Sequence, residues 1–147
     1  MSIEDEARVL SRIPMFRDLE PSQLRLLAFS ATRLDVAPGD VLFHQGEAPD
    51  AAYVILDGTA VIEVTAGGAT HEITRLAKDT VVGEMGVLTG EARSATVRAG
   101  EAMSVLRMET DLFLALLDKT PSLARSVLRD LALRLQETTR ALVKARG

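Results

Sequence analysis

Two ionisable side chains nine positions apart, Glu84 and Arg93, are where this 147-residue sequence best concentrates residues able to do ligand chemistry. Glu84 lies inside, and Arg93 three residues after, a glycine-rich run, Gly83-Glu-Met-Gly-Val-Leu-Thr-Gly90, with three glycines in eight residues. Glycines at 83 and 86 let backbone N–H groups approach a ligand closely, and Met85 to Leu88 is long enough for one helical turn. Exposed amides at the start of such a turn form an anion site. Arg93 adds a full positive charge on a planar fork suited to two phosphate oxygens. Ser94, beside it, adds a hydroxyl. Glu84 cannot hold a phosphate, but it accepts hydrogen bonds from sugar hydroxyls. The combination suits a ligand carrying both ribose and phosphate. Each piece alone has a plainer explanation: a surface arginine at a strand start, a solvated glutamate in a turn, glycines at bends.

The elements that must position these residues follow from hydrophobic spacing. Residues 4–12 read as a short helix stopped before Pro14, and Pro21 opens a second one that buries Leu24, Leu27 and Ala28. From Ala31 the period changes to two. Strands are expected at Arg33 to Val36, Val41 to His44, Tyr53 to Leu56, Thr59 to Thr65, His71 to Leu76, Ser94 to Arg98 and Ala102 to Met108. Asp57-Gly58 reads as a hairpin turn, Gly67-Gly68 as a second turn, and Gly100 as the joint between the last two strands. About eight short strands with a turn every 8–12 residues imply a closed antiparallel double sheet, a jelly-roll-like β-roll. A helix over Thr110 to Leu117, a stop near Pro121 and a long helix from about Ser122 to Ala145 complete the chain. The fold class is therefore mainly β with flanking helices: an eight-stranded antiparallel β-roll, short N-terminal helices and a long C-terminal helix. A single domain over 1–147 is expected, with a helical lead-in at 1–30, the roll at 31–108 and C-terminal helices at 109–146.

Composition narrows the classes of function. The absence of cysteine excludes disulfides, thiolate metal sites and a cysteine nucleophile. No apolar run approaches a bilayer span, and the acidic N-terminus lacks a secretory h-region, so a soluble cytoplasmic protein is expected. Residues 31–122 carry 7 basic and 14 acidic side chains, net −7, whereas residues 123–147 carry 6 basic and 2 acidic, net +4. An acidic middle is a poor nucleic-acid surface, so neither nucleic acid nor membrane is an expected partner.

The run Gly83 to Ala99 resembles the phosphate-binding cassette of the cyclic nucleotide-binding domain family. Ile13-Pro-Met-Phe16, Pro38-Gly-Asp40, Gln45-Gly-Glu47 and Val54-Ile-Leu-Asp-Gly58 are similar to that family's landmarks, over about residues 10 to 142. Val82 is a mild departure, standing where the family often has an aromatic residue or isoleucine. The resemblance implies a non-enzymatic receptor for cAMP, less favourably cGMP, that signals through its C-terminal helix and needs no cofactor or metal. It implies Glu84 on the ribose 2′-hydroxyl, Arg93 and Ser94 on the cyclic phosphate, and amides near Gly83, Met85 and Gly86 on phosphate or sugar. The run Arg134-Leu-Gln-Glu-Thr-Thr139 resembles the catabolite-activator branch of the family. That implies Thr138 on the base of its own site and Thr139 on a neighbouring subunit's ligand. Leu128, Leu131, Leu135, Thr138, Leu142 and Ala145 recur at 3-4-3-4-3 spacing, the seam of a parallel two-helix dimer. The competing explanation is that Leu128 and Leu131 pack back on the roll. A downstream effector is expected but not named by the sequence.

Two alternatives remain at this stage. A cupin-type metal enzyme shares the jelly roll, but His44 and His71 stand 27 positions apart without a His-x-His pair. A degenerate roll working only in dimerisation or docking has no use for an intact Glu84 and Arg93 pair.

Overall fold

The computed structural model describes residues 2–146. The chain runs α1 (Ile3–Ser11), α2 (Pro21–Ser30), β1 (Thr32–Val36), β2 (Val41–Phe43), β3 (Ala51–Asp57), β4 (Ala60–Ala66), β5 (Ala69–Leu76), β6 (Thr80–Val82), α3 (Glu84–Thr89), β7 (Thr96–Ala99), β8 (Met103–Glu109), α4 (Thr110–Lys119) and α5 (Pro121–Arg146). Eight antiparallel strands form two four-stranded sheets, β1-β8-β3-β6 and β2-β7-β4-β5. This is the expected β-roll with flanking helices and a long C-terminal helix.

The helices start where local chemistry places them. Ser2 caps α1 by accepting from the Asp5 amide at 3.1 Å, while Asp5 Oδ2 accepts from the Ser2 amide at 3.1 Å. Pro21 occupies the first turn of α2, where its missing N–H costs nothing.

Strand β3 explains why the core has two layers. Its residues Ala51 to Leu56 are all buried, a continuous run rather than an alternating one. Ala52, Val54 and Leu56 face a cluster with Leu10, Leu27 and Phe113 from the helices and Phe16 from the segment between α1 and α2. Ala51, Tyr53 and Ile55 face the other way, into the space between the sheets with Phe43, Val97 and Val105. A strand covered on both faces loses the alternation that a half-exposed strand shows. Phe16 and Phe113 meet edge-to-face with ring centroids 6.5 Å apart, joining the N-terminal segment to α4.

One expected hairpin is corrected and one strand was not anticipated. Asp57-Gly58 does not close a hairpin: β3 and β4 lie in different sheets, and the dipeptide carries the chain between them. Gly58 is at φ +90, and a Cβ there would stand 2.5 Å from that of Met103, so a close backbone approach as well as a turn demands glycine. Gly100 is, as expected, part of the joint between β7 and β8, which lie in different sheets. Strand β6, three residues pairing Tyr53 with Val82, was too short to show a period. The true tight hairpin is β4–β5, closed by Gly67-Gly68 between paired Ala66 and Ala69.

Candidate functional site

Gly83 follows β6 and caps α3 in the left-handed region at φ +83. The turn brings Glu84 inward, where the residue is only 3% exposed. Helix α3 spans Glu84–Thr89, longer than the expected single turn from Met85 to Leu88, and closes at Gly90. The chain then returns through 91–95 to β7 and delivers Arg93, 4% exposed, beneath the same turn.

The 44–50 loop holds Arg93 in place. Its backbone is pinned in both directions: the Gly46 amide donates to Arg93 O and the Arg93 amide to Glu47 O, each at 2.8 Å. Its guanidinium stacks over Phe43 with Cζ 3.9 Å from the ring centroid. Nη1 donates to Gly83 O at 2.8 Å, and Nη2 donates to Ala51 O at 2.5 Å and to Asp50 Oδ1 at 3.2 Å. Asp50 also accepts from Arg107 Nη2 at 3.2 Å. Partial burial works to raise the Asp50 carboxyl, but hydrogen bonds from Arg107, its own backbone and Arg93 outweigh it and hold the group below its usual range.

These contacts revise the expected use of the fork. Both hydrogens of Nη2 are committed to protein acceptors, which leaves Nε–H and one hydrogen of Nη1. Nε is buried and has no hydrogen-bond partner. A buried charged donor without an acceptor is costly, and a ligand oxygen would satisfy it.

Gly83, Glu84, Met85, Gly86, Arg93 and Ser94 all line one cavity of about 480 Å³. Its apolar wall comes from Phe43, Ile62, Leu76, Val82 and Val97 of the roll. Six of the eight predicted site residues are thus brought together. Thr138 and Thr139 are not among the cavity's lining residues: both are exposed on α5, and Thr139 Oγ1 donates back to Leu135 O at 2.9 Å within the helix.

The α5 residue that reaches the cavity is Arg134, which sequence reasoning passed over. Its Nη1 hydrogen-bonds Glu84 Oε1, and its Nη2 lies 2.9 Å from Asp130 Oδ2 one turn earlier. Burial works against its charge, but the Glu84 and Asp130 carboxylates prevail and raise its pKa. The available signal was the i, i+4 spacing of Arg134 and Thr138, which puts them on one helix face. Leu131 packs against the helix-side core, whereas Leu128, Leu135 and Leu142 are 67%, 68% and 60% exposed. His44 and His71 are both exposed. Among the described residues, no three His, Cys, Asp or Glu side chains group as metal ligands, and no helix is long and apolar enough to cross a membrane.

An eight-stranded roll thus carries a glycine-capped turn, a buried glutamate and a buried arginine on one cavity. The model of the cyclic nucleotide-binding domain matches residues 33–120, and the chain belongs to that family. An uncharacterized NTE family protein of Mycobacterium tuberculosis is 33% identical over 134 residues, which is 91% of this chain and 22% of the relative. A cAMP-dependent protein kinase regulatory subunit of Blastocladiella emersonii is 30% identical over 109 residues, 74% of this chain and 27% of that one. The chain therefore spans about a quarter or less of the length of these curated relatives. Among solved structures, the Thermus thermophilus catabolite activator protein superposes with a TM-score of 0.81 at 28% identity, covering 90% of this chain and 63% of that one.

Proposed function

We propose that this chain is a non-enzymatic cytoplasmic receptor for a cyclic nucleotide, cAMP ahead of cGMP, with α5 as its output element. The observation that carries the reading is Arg93 Nε, a buried donor without an acceptor, in a cavity that also holds buried Glu84. A cyclic phosphate oxygen supplies the missing acceptor. The ribose 2′-hydroxyl donates to the Glu84 carboxylate, Ser94 and the amides near Gly83, Met85 and Gly86 complete the phosphate and sugar contacts, and the apolar wall takes the base. A cavity of about 480 Å³ is within the ordinary range for small-ligand sites. The kinase relative, whose name states dependence on cAMP, favours cAMP over cGMP. Calorimetric titration of the chain with cAMP, cGMP and 5′-AMP tests the proposal. Saturable heat with cAMP, weaker with cGMP and weakest with the linear nucleotide supports it, and no heat with either cyclic nucleotide overturns it.

A second copy is the proposed partner along α5. Leu128, Leu135 and Leu142 lie seven residues apart, exposed and on one face, which favours a two-helix seam. In such a dimer Thr138 remains a candidate for the base, and Thr139 for the neighbouring subunit's ligand.

A further inference from the structure

Resting on the nucleotide reading above, we infer that Met85 is a modification site: a hydroperoxide oxidises its thioether at the rim of the cavity, and the sulfoxide weakens nucleotide binding while leaving the fold intact.

Composition and burial single out this sulfur. The chain has no cysteine and no tryptophan, so no thiol or indole competes with its thioethers for a mild oxidant. It has five methionines, of which Met1 lies outside the described residues. Met15, Met103 and Met108 are at most 3% exposed and belong to the two core clusters, whereas Met85 is 51% exposed and belongs to neither. Oxidation of the three core sulfurs would place a polar group in packed apolar surroundings and damage the fold. Oxidation of Met85 carries no such cost.

Helix α3 explains the exposure. It buries Val87 in the helix-side core, packs Leu88 against it and turns Glu84 into the cavity. Met85 and Thr89, one turn apart on the same face, are left exposed on the cavity lining. Met85 therefore meets solvent and the ligand site at once, and its own amide is among those assigned above to the phosphate or sugar.

The reaction balances with the hydroperoxide as sole co-reactant. The sulfur lone pair attacks one peroxide oxygen, and the S–O bond forms as the O–O bond breaks. Sulfur is oxidised by two electrons and the peroxide is reduced by the same two. The other oxygen leaves as water, or as an alcohol from an organic hydroperoxide, taking the proton of the transferred hydroxyl. The product is polar and chiral, and its oxygen accepts hydrogen bonds but donates none. In the open cavity water satisfies that oxygen. A bound nucleotide displaces the water and sets phosphate oxygens against the turn, which are acceptors too, while its 2′-hydroxyl is engaged by Glu84. The sulfoxide then loses water without gaining a donor, and this opposes binding. Sulfoxide reductases restore the thioether, so the change in affinity is reversible.

Limited treatment of the chain with hydrogen peroxide, followed by peptide mass mapping, calorimetric titration with cAMP and thermal melts, tests the inference. Met85 should react at least about tenfold faster than Met15, Met103 and Met108, whose oxidation waits on local opening. Saturating cAMP should slow the reaction at Met85, since coupling between the two events is reciprocal. The oxidised chain should bind cAMP about three- to tenfold more weakly, the size of a modest unpaired polar group. Its melting temperature should stay within about 2 °C of the untreated chain. Methionine sulfoxide reductases of both epimer specificities should restore the affinity. Met85→Leu, whatever its own starting affinity, should show no change on peroxide treatment. Oxidation of Met85 no faster than the core methionines, parental affinity in the oxidised chain, or an equal loss in treated Met85→Leu overturns the inference. If the untreated chain binds no cAMP, the nucleotide reading falls, and the mass map alone decides whether Met85 is the reactive methionine.

Discussion

Substituting Gly83 by alanine separates the shape of the phosphate turn from its backbone strain, because Gly90 provides a matched control. Both glycines cap α3 in the left-handed region, at φ +83 and +75. An L-residue there costs about 1–2 kcal/mol of folding stability in either place. For a chain of this length that corresponds to a melting temperature about 2–8 °C lower. The surroundings differ. A Cβ on Gly83 would stand 2.7 Å from Arg93 Nη1 and 3.0 Å from Phe43 Cε2, whereas at Gly90 nothing lies within 4 Å. Arg93 cannot easily yield, since it is stacked on Phe43 and bonded to Gly83 O, Ala51 O and Asp50. Gly83→Ala should therefore displace the guanidinium and weaken cAMP at least about tenfold, some 1.4 kcal/mol beyond the folding cost. Gly90→Ala should lose similar stability and keep its affinity within about twofold of the parent, because strain alone leaves the guanidinium in place. Thermal melts and calorimetric titrations of the pair give both quantities. Equal loss of affinity in the two variants, or parental affinity in Gly83→Ala, would refute the reasoning.

Other expectations follow from individual contacts. A 2′-deoxy cyclic nucleotide should bind the parent about 1–3 kcal/mol more weakly than its ribose counterpart and bind Glu84→Ala equally well, because the buried acceptor is then gone; parental indifference to the hydroxyl removes Glu84 from the sugar. Burial raises the Glu6 carboxyl, with Arg33 only partly offsetting it, so the native state binds that proton before the unfolded chain does. That contribution to stability rises as pH falls through the raised folded value and is complete below the unfolded one. Glu6→Gln should accordingly stabilise the chain at pH 7 and lose that advantage in mild acid, read by melts across pH; a constant difference contradicts it. Asp50, held low by its arginines, has the opposite sign: its stabilisation is present above the unfolded carboxylate pKa and is lost as pH falls through the folded value. Leu135→Lys should reduce self-association in sedimentation while leaving the fold intact, since that side chain is exposed; a parent that is monomeric at high concentration discards the seam.

Much of the site was legible because its determinants are local. The glycines at 83, 86 and 90, the intervening helical residues, and Glu84 and Arg93 all lie within eleven residues, and the fold gathers them with little long-range adjustment. The helix positions were legible for a similar reason, through Pro21, Pro121 and the 3.6-residue stripes. What escaped depends on contacts distant in sequence. Asp57-Gly58 carries an ordinary hairpin signal, and only the double-sided burial of β3 shows that the next strand crosses to the other sheet. Arg134 escaped because its role comes from the angle at which α5 crosses the roll, fifty positions from Glu84. The threonines one turn beyond it drew the stronger motif signal, yet the helix leaves the roll before reaching them.

The central claim is that Arg93 awaits a phosphate oxygen, and its Nε–H resonance in a ¹H–¹⁵N spectrum reports on that atom directly. Assigned by comparison with Arg93→Lys, the resonance should move strongly downfield as cAMP saturates the chain and stay in place with adenosine, which has the sugar and base but no phosphate. An Nε–H signal that stays unmoved while cAMP demonstrably binds would contradict the account and remove Arg93 from the phosphate site.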